Sequence, residues 1–211
     1  RVPLQVNADG SFSAALLLSP EREGLPLHIQ VAGAHHVAPI IVDDNTTASE
    51  VWVEGDGSSA ELHAVGMLLL AVGEGAPPIH IFGFILRGHI HLNSSRLVEL
   101  RNCTLVSPGP WTNASRAMLV SGGTVELQAV SMNSLTAGAL EVSGGLVTAW
   151  DSVMSHNAAD RGAAVLLRGG VLTMYRSLLD DNSAVESGGA IAVDGGSLLL
   201  ANQTVLRRNA A

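Results

Sequence analysis

Ala117-Met-Leu-Val-Ser-Gly-Gly123, Ala139-Leu-Glu-Val-Ser-Gly-Gly145, Ala164-Val-Leu-Leu-Arg-Gly-Gly170 and Ala190-Ile-Ala-Val-Asp-Gly-Gly196 write one seven-residue pattern four times. Their glycine pairs fall 22, 25 and 26 residues apart. A repeat of that period, made of short β-type runs punctuated by glycine, marks a solenoid in which each repeat is one coil.

Each copy is followed by a second apolar run: Thr124-Val-Glu-Leu127, Leu146-Val-Thr-Ala149, Val171-Leu-Thr-Met174 and Ser197-Leu-Leu-Leu200. A third run closes on asparagine in Met154-Ser-His-Asn157, Leu179-Asp-Asp-Asn182 and Leu206-Arg-Arg-Asn209, with Val130-Ser-Met-Asn133 a looser fourth. Three runs per repeat predict an all-β, three-faced parallel β-helix of roughly eight coils, each of about 22–28 residues, rising ~4.8 Å per coil. Equivalent inward side chains then stack, so Val120, Val142, Leu167 and Val193 are expected in one column. The pairs Gly122-Gly123, Gly144-Gly145, Gly169-Gly170 and Gly195-Gly196 are assigned to a corner that needs positive φ. Asn157, Asn182 and Asn209 are assigned to another corner, where asparagine tolerates the left-handed region and stacked amides can bond along the axis.

The pattern loosens upstream. Leu92-Asn-Ser-Ser-Arg-Leu-Val-Glu-Leu100 reads as two runs with Ser94-Ser95 in place of the glycine pair. Residues 51–211 are expected to form regular coils and residues 1–50 irregular coils or a cap, within a single domain spanning 1–211. The chain starts at Arg1 without a signal peptide and stops at Ala211 within a repeat, as expected for a piece of a longer protein.

Composition fits this reading. Apolar residues are 47 % of the 211 but aromatics only 3 %, so the core must be built from Val, Leu, Ile and Ala. Net charge is −8, with eleven arginines and no lysine. No basic stripe exists to follow a phosphate backbone, which argues against nucleic acid, and no apolar run approaches the ~18 residues of a membrane span. The single cysteine, Cys103, excludes an internal disulfide. Asn45, Asn93, Asn102, Asn113 and Asn202 each open an Asn-x-Ser/Thr triplet. Ten asparagines with 29 Ser and Thr in 211 residues would give about one or two by chance, so five imply N-glycosylation and an extracellular or cell-surface location reached by the secretory pathway.

Ser187-Gly-Gly-Ala-Ile191, preceded by Leu179-Asp-Asp-Asn182, resembles the paired Gly-Gly-Ala-Ile and Phe-x-x-Asn repeats of polymorphic outer-membrane proteins. The stretch from Glu54 to Leu62, followed by Ile79-His-Ile-Phe-Gly-Phe-Ile-Leu-Arg-Gly88, is similar to the opening coils of right-handed, pectin-lyase-like β-helices. The resemblance implies a right-handed coil stack. It also implies either an adhesive or structural surface module or a polysaccharide-cleaving enzyme.

The residues give the enzyme little support. Gly88-His89 and Asp180-Asp181 are fragments of a hydrolase-like set, but without lysine the set cannot be completed. Asp180-Asp181 reads as a solvated turn, and paired carboxylates need a suitable separation and divergent pKa values to act as acid and base. Asp43-Asp44, Glu54 with Asp56, and Asp181 with Glu186 and Asp194 lack dedicated calcium-loop spacing. A weak surface Ca²⁺ site is the most they imply, and no cofactor is expected. His80, His89 and His91 read as exposed strand histidines rather than zinc ligands, and Thr124, Thr148 and Thr173 are too few for a flat threonine ladder. Trp150 and Tyr175 follow the second run of successive coils and could form a two-rung glycan platform; Trp52 and Trp111 are the other large candidates.

The expected function is a non-catalytic structural or adhesive module of a secreted surface, wall, matrix or filament glycoprotein. A polysaccharide lyase or hydrolase and a glycan-binding module are the alternatives. Expected partners are other protein chains or further coils of the same chain, met through the solenoid ends or faces, and extracellular glycans.

Overall fold

The computed structural model describes residues 24–37, 39–56, 60–107 and 116–211. These form a parallel β-solenoid of about seven turns with two strands of an eighth, and contain no helix. Three sheets run the length of the stack, because each turn contributes one short strand to each.

Sheet 1 carries the run that follows the glycine pair: Leu27–Val31, Val51–Gly55, Ile79–Phe82, residues 97–101, 124–128, Leu146–Trp150, Val171–Tyr175 and Ser197–Ala201. Sheet 2 carries the third run, from Ala34–Val37 through Val153–Ser155 and Leu178–Asp180 to Val205–Arg207. Sheet 3 carries the run that precedes the glycines, from Ile40–Val42 to Leu140–Val142, Val165–Leu167 and Ile191–Val193. Val120, Val142, Leu167 and Val193 are partners in register, as the repeat requires.

Alternation then fills the interior. In sheet 1 the inward column runs Leu27, Val51, Ile79, Val98, Val125, Val147, Leu172, each of them buried, and ends in Leu198. Side chains of similar size on successive rungs make one continuous apolar column with no need for large rings. Phe84 is the one aromatic among the largest fully buried side chains.

The glycine corners divide two tasks between the two residues. Gly145 has φ +81, and a Cβ there would come within 2.5 Å of the Gly123 carbonyl. Gly144 has no such φ, yet its Cβ would meet the Ser121 carbonyl at 2.5 Å. One position needs the left-handed region and the other needs the close approach of the rung beneath.

The asparagine corner works differently from expectation. The left-handed φ falls on the preceding residues, His156 (55°), Asp181 (51°) and Arg208 (53°), not on the asparagines. Turning one residue earlier points the amide inward, where it forms a ladder. Asn157 donates from both N and Nδ2 to Asn182 Oδ1, at 3.1 and 2.9 Å, and Asn182 donates likewise to Asn209 Oδ1, at 3.0 and 2.9 Å. The second Nδ2 hydrogens go to the carbonyls of Met132, Met154 and Leu179. Asn133 is out of this register: it lies level with Ser155, and the ladder's place in its turn belongs to Leu135, whose N–H donates to Asn157 Oδ1.

A second ladder lines the corner from sheet 1 to sheet 2, where Asn102, Ala129, Asp151, Arg176 and Asn202 each take positive φ. The following hydroxyls turn inward. Thr204 Oγ1 accepts from Ser177 N, Ser177 Oγ from Ser152 N, and Ser152 Oγ from Val130 N. Cys103 occupies the same column, its thiol directed at the carbonyls of Ile81 and Arg101, and burial pushes that thiol's pKa up.

Candidate functional site

With the interior filled by alternation, the outward positions of each sheet form rows along the stack. On sheet 1 the first row reads His28, Trp52, His80, Glu99, Glu126, Thr148, Thr173, Leu199. The second reads Gln30, Glu54, Phe82, Arg101, Gln128, Trp150, Tyr175, Ala201. Trp52, Phe82, Trp150 and Tyr175, the outward Trp, Phe and Tyr side chains among the described residues, therefore all lie on one sheet.

The rings form two groups. Near the first rungs Trp52 is sandwiched between His28 (centroids 5.7 Å apart) and His80 (4.0 Å), both nearly parallel to it, with Phe82 tilted alongside at 5.6 Å. Trp52 Nε1 donates to Glu50 at 3.0 Å, and the Arg101 guanidinium lies 5.3 Å over the Phe82 ring. His80 is buried rather than exposed, and its Nδ1 lies 2.8 Å from Glu99 Oε2, while Arg101 bonds the other Glu99 oxygen. Burial alone would raise the Glu99 carboxyl, but the hydrogen bonds from His80 and Arg101 outweigh it and hold it below the usual glutamate range. Farther along, Trp150 and Tyr175 are direct register partners with rings near parallel and 6.0 Å apart. Leu146 and Val171, both exposed, flank them on the same face.

A second feature lies where Ala158–Arg161 and Ser183–Ser187 pair as a small sheet of their own between sheets 2 and 3. This fourth side makes a concave corner with sheet 3, a groove of about 650 Å³ whose lining includes Arg116, Glu141, Asp160, Arg161, Leu166 and Arg168. Arg116 is held inside it by the carbonyls of Gly162 (2.7 Å) and Arg161, and burial lowers its pKa. Glu141 lies between Arg116 (3.5 Å) and Arg168 (2.9 Å). Asp194 is bonded by both terminal nitrogens of Arg161, which pushes its carboxyl down. That direction suits a permanent ion pair and is the wrong one for a general acid.

The remaining sequence candidates are scattered. Asn45, Asn93, Asn102 and Asn202 are exposed, the first two between sheets 3 and 1, the last two at the corner from sheet 1 to sheet 2. Asn113 and Trp111 lie outside the described residues. Asp180 is not a solvated turn residue: it is buried, and Arg207 and Arg208 bond its Oδ2 at 3.0 and 2.6 Å. It stands on the strand beside inward-pointing Leu179, in a row with Ser155 and Arg207, and the two arginines cover it; Asp181 is the residue at the turn, where Arg208 meets it at 3.0 Å. His89 and His91 lie on sheet 3, bonded to the Arg116 carbonyl and Ser121 Oγ, away from His80 on sheet 1. Among the described residues no three His, Cys, Asp or Glu side chains gather as metal ligands. Thr148 and Thr173 stack, but Thr124 lies over Leu146 in a different row.

The Trp52–His80 cluster and the arginine groove were not anticipated. The first had a signal: Val51-Trp-Val, Ile79-His-Ile and Val98-Glu-Leu each place one outward residue between two inward apolar ones. The groove had none, since it depends on how far the chain swings out between sheets 2 and 3. No protein-family model matches the chain, nor does any curated protein or solved structure.

Proposed function

We propose that the chain is a non-catalytic structural or adhesive module of a secreted, N-glycosylated surface, wall, matrix or filament protein, with sheet 1 as its contact face. The observation that carries this reading is the segregation of Trp52, Phe82, Trp150 and Tyr175 onto one sheet. Half-buried rings beside Arg101, Gln128 and Glu126 combine apolar surface with hydrogen-bonding groups, the chemistry with which proteins hold glycans and one another. Exposed sequon asparagines at Asn45, Asn93, Asn102 and Asn202 support passage through the secretory pathway. The three-sheet stack with its inward asparagine ladder supports kinship with right-handed, pectin-lyase-like solenoids.

The groove favours a second reading, a polysaccharide lyase or hydrolase, because it is the place where carboxylates and arginines converge. Against it, Asp194, beside the groove, is bonded by both terminal nitrogens of Arg161, which holds its carboxyl below the usual aspartate range, the wrong direction for a general acid.

Two measurements separate the readings. Intact mass before and after deglycosylation of protein secreted from eukaryotic cells should drop by several glycan masses; an unchanged mass removes the glycoprotein. Binding to a panel of acidic and neutral glycans, with product analysis on the same panel, should show retention without cleavage and loss of retention in Trp150→Ala and Tyr175→Ala. New reducing ends or unsaturated products would establish the enzyme instead.

A further inference from the structure

Two of the sequon asparagines, Asn102 and Asn202, stand in the left-handed column at the corner from sheet 1 to sheet 2, with φ of 53° and 47°. Each directly follows the last outward residue of its sheet 1 strand, Arg101 or Ala201. Each of those residues is in register with an aromatic ring on the preceding rung, Arg101 with Phe82 and Ala201 with Tyr175. The two sites thus share one geometry, a sequon one rung, ~4.8 Å, beyond a ring.

They differ in what fills the place between. Beside Phe82 the Arg101 guanidinium lies 5.3 Å over the ring centroid, so that face is already covered. Beside Tyr175 stands only the methyl group of Ala201, too small to cover a phenol ring. Trp150 takes the other face of Tyr175, with the two rings 15° from parallel and their centroids 6.0 Å apart. Stacking of this kind turns the second face of Tyr175 along the axis, toward the rung that carries Asn202. The neighbouring cation does not fill the space. Arg176, at the corner next to Tyr175, sends Nε and a terminal nitrogen back to Asp151, both at 2.8 Å, away from Asn202. Asn202 itself is exposed.

We infer that the first N-acetylglucosamine carried by Asn202 folds back over Ala201 and packs on Tyr175, a third layer on the Trp150–Tyr175 stack. A pyranose ring presents C–H groups on both faces, and an aromatic face is the surface that matches them. The inference rests on the N-glycosylation reading and narrows the contact face. Tyr175 is taken by the chain's own sugar while it backs Trp150, which leaves Trp150 with exposed Leu146 and Val171 for a partner. The Asn102 glycan has no such seat, because Arg101 holds it.

The test uses the full chain secreted from eukaryotic cells, with every glycan trimmed enzymatically to its first sugar. Peptide mapping should find Asn202 occupied. An unmodified Asn202 beside occupied Asn45, Asn93 or Asn102 overturns this inference alone; no sugar at any sequon overturns the glycoprotein reading with it. Glycosylation is blocked by aspartate, which the same column accepts at Asp151 with φ of 52°. Asn202→Asp should lower the Tm by about 2–4 °C. Made in Tyr175→Ala, or in Ala201→Arg, which supplies a guanidinium as Arg101 does, the same substitution should shift it by less than about 1 °C. Asn102→Asp in the parent should also shift it by less than about 1 °C. A loss that persists in either background, or an equal loss for Asn102→Asp, shows that the sugar acts without the ring and overturns the inference. NMR of the unsubstituted protein needs no variant: the ring current of Tyr175 should move protons of the Asn202 sugar upfield of those at Asn102, and coincident positions refute the packing.

Discussion

Replacing Asn182 with leucine removes the middle step of the amide ladder and tests whether it holds the turns in register. Asn182 is fully buried. Its Oδ1 receives the N–H and Nδ2 of Asn157, and its own Nδ2 serves the Met154 carbonyl at 2.9 Å and Asn209 Oδ1 at 2.9 Å. Leucine leaves the Asn157 N–H and one Asn157 amide hydrogen inside the protein without partners, and removes one of the bonds to the Met154 carbonyl. Each such group costs about 1–3 kcal/mol. The added apolar side chain offsets about 1–2 kcal/mol, so the net loss should be about 2–4 kcal/mol, a large share of a typical domain's stability. Urea denaturation measures it, and hydrogen exchange locates it, because a solenoid loses stability mainly between neighbouring rungs. Amides in 153–155, 178–180 and 205–207 should exchange faster and those in 27–31 should not. Asn133→Leu is the control: Asn133 is only half-buried and bonds the side chains of Ser131 and Ser155, so the cost should be about 1 kcal/mol. A loss below about 1 kcal/mol for Asn182→Leu, or equal losses for the two variants, would refute the reasoning.

Three further outcomes follow from the corners and the ion pairs. Gly145→Ala, which forces a Cβ to 2.5 Å from the Gly123 carbonyl at φ +81, should cost about 2–4 kcal/mol in urea denaturation, against about 1 for Gly24→Ala, where φ is +72 and nothing lies within 4 Å. Cys103→Ser should lie within about 1 kcal/mol of the parent, because the column already accommodates Ser152 and Ser177; a loss above about 2 would show that the thiol is there for its volume. Hydrogen bonds from Arg176, Arg207 and Arg161 lower the pKa values of Asp151, Asp180 and Asp194, and those from His80 and Arg101 outweigh burial to lower that of Glu99. Their contribution is complete above the unfolded carboxyl values of about 3.9–4.3 and is lost as pH falls through the lower folded ones. The Tm should therefore be flat from about pH 7 to 5 and fall below about pH 4; a decline already complete by pH 5 would implicate histidines instead.

The fold was legible because its information is redundant. Val120, Val142, Leu167 and Val193 occupy one column, and any one of them could change without hiding the period. The corners were legible as corners but not in detail. Gly-Gly announces a turn, yet only the rung spacing shows that Gly144 is needed for a close approach and Gly145 for its φ. At Asn157 and Asn182 both readings of asparagine were available from sequence, a left-handed backbone or an amide ladder. The structure separates them, because a residue that turns the chain cannot also point its amide down the axis. His156 and Asp181, which do the turning, are of types enriched at positive φ, but nothing in the sequence sets them above the asparagines beside them.

Outward positions obey no such redundancy, and this is why the candidate site was read only in part. Trp150 and Tyr175 stood out because they follow aligned runs one turn apart; Trp52 and His80 are just as directly stacked but lie in turns whose glycine pairs are missing. Once the register is known, the outer rows of sheet 1 change character along the stack: His28, Trp52, His80 and Glu99 give way to Glu126 and Gln128, then to Thr148, Trp150, Thr173 and Tyr175 beside exposed Leu146 and Val171. The inward column behind them, from Leu27 to Leu198, stays apolar throughout, so this variation costs the core nothing. A parallel stack thus separates the two demands on its sequence. Inward residues must agree with their neighbours above and below, while outward ones are free to differ rung by rung, and it is there that binding chemistry can be written without altering the fold.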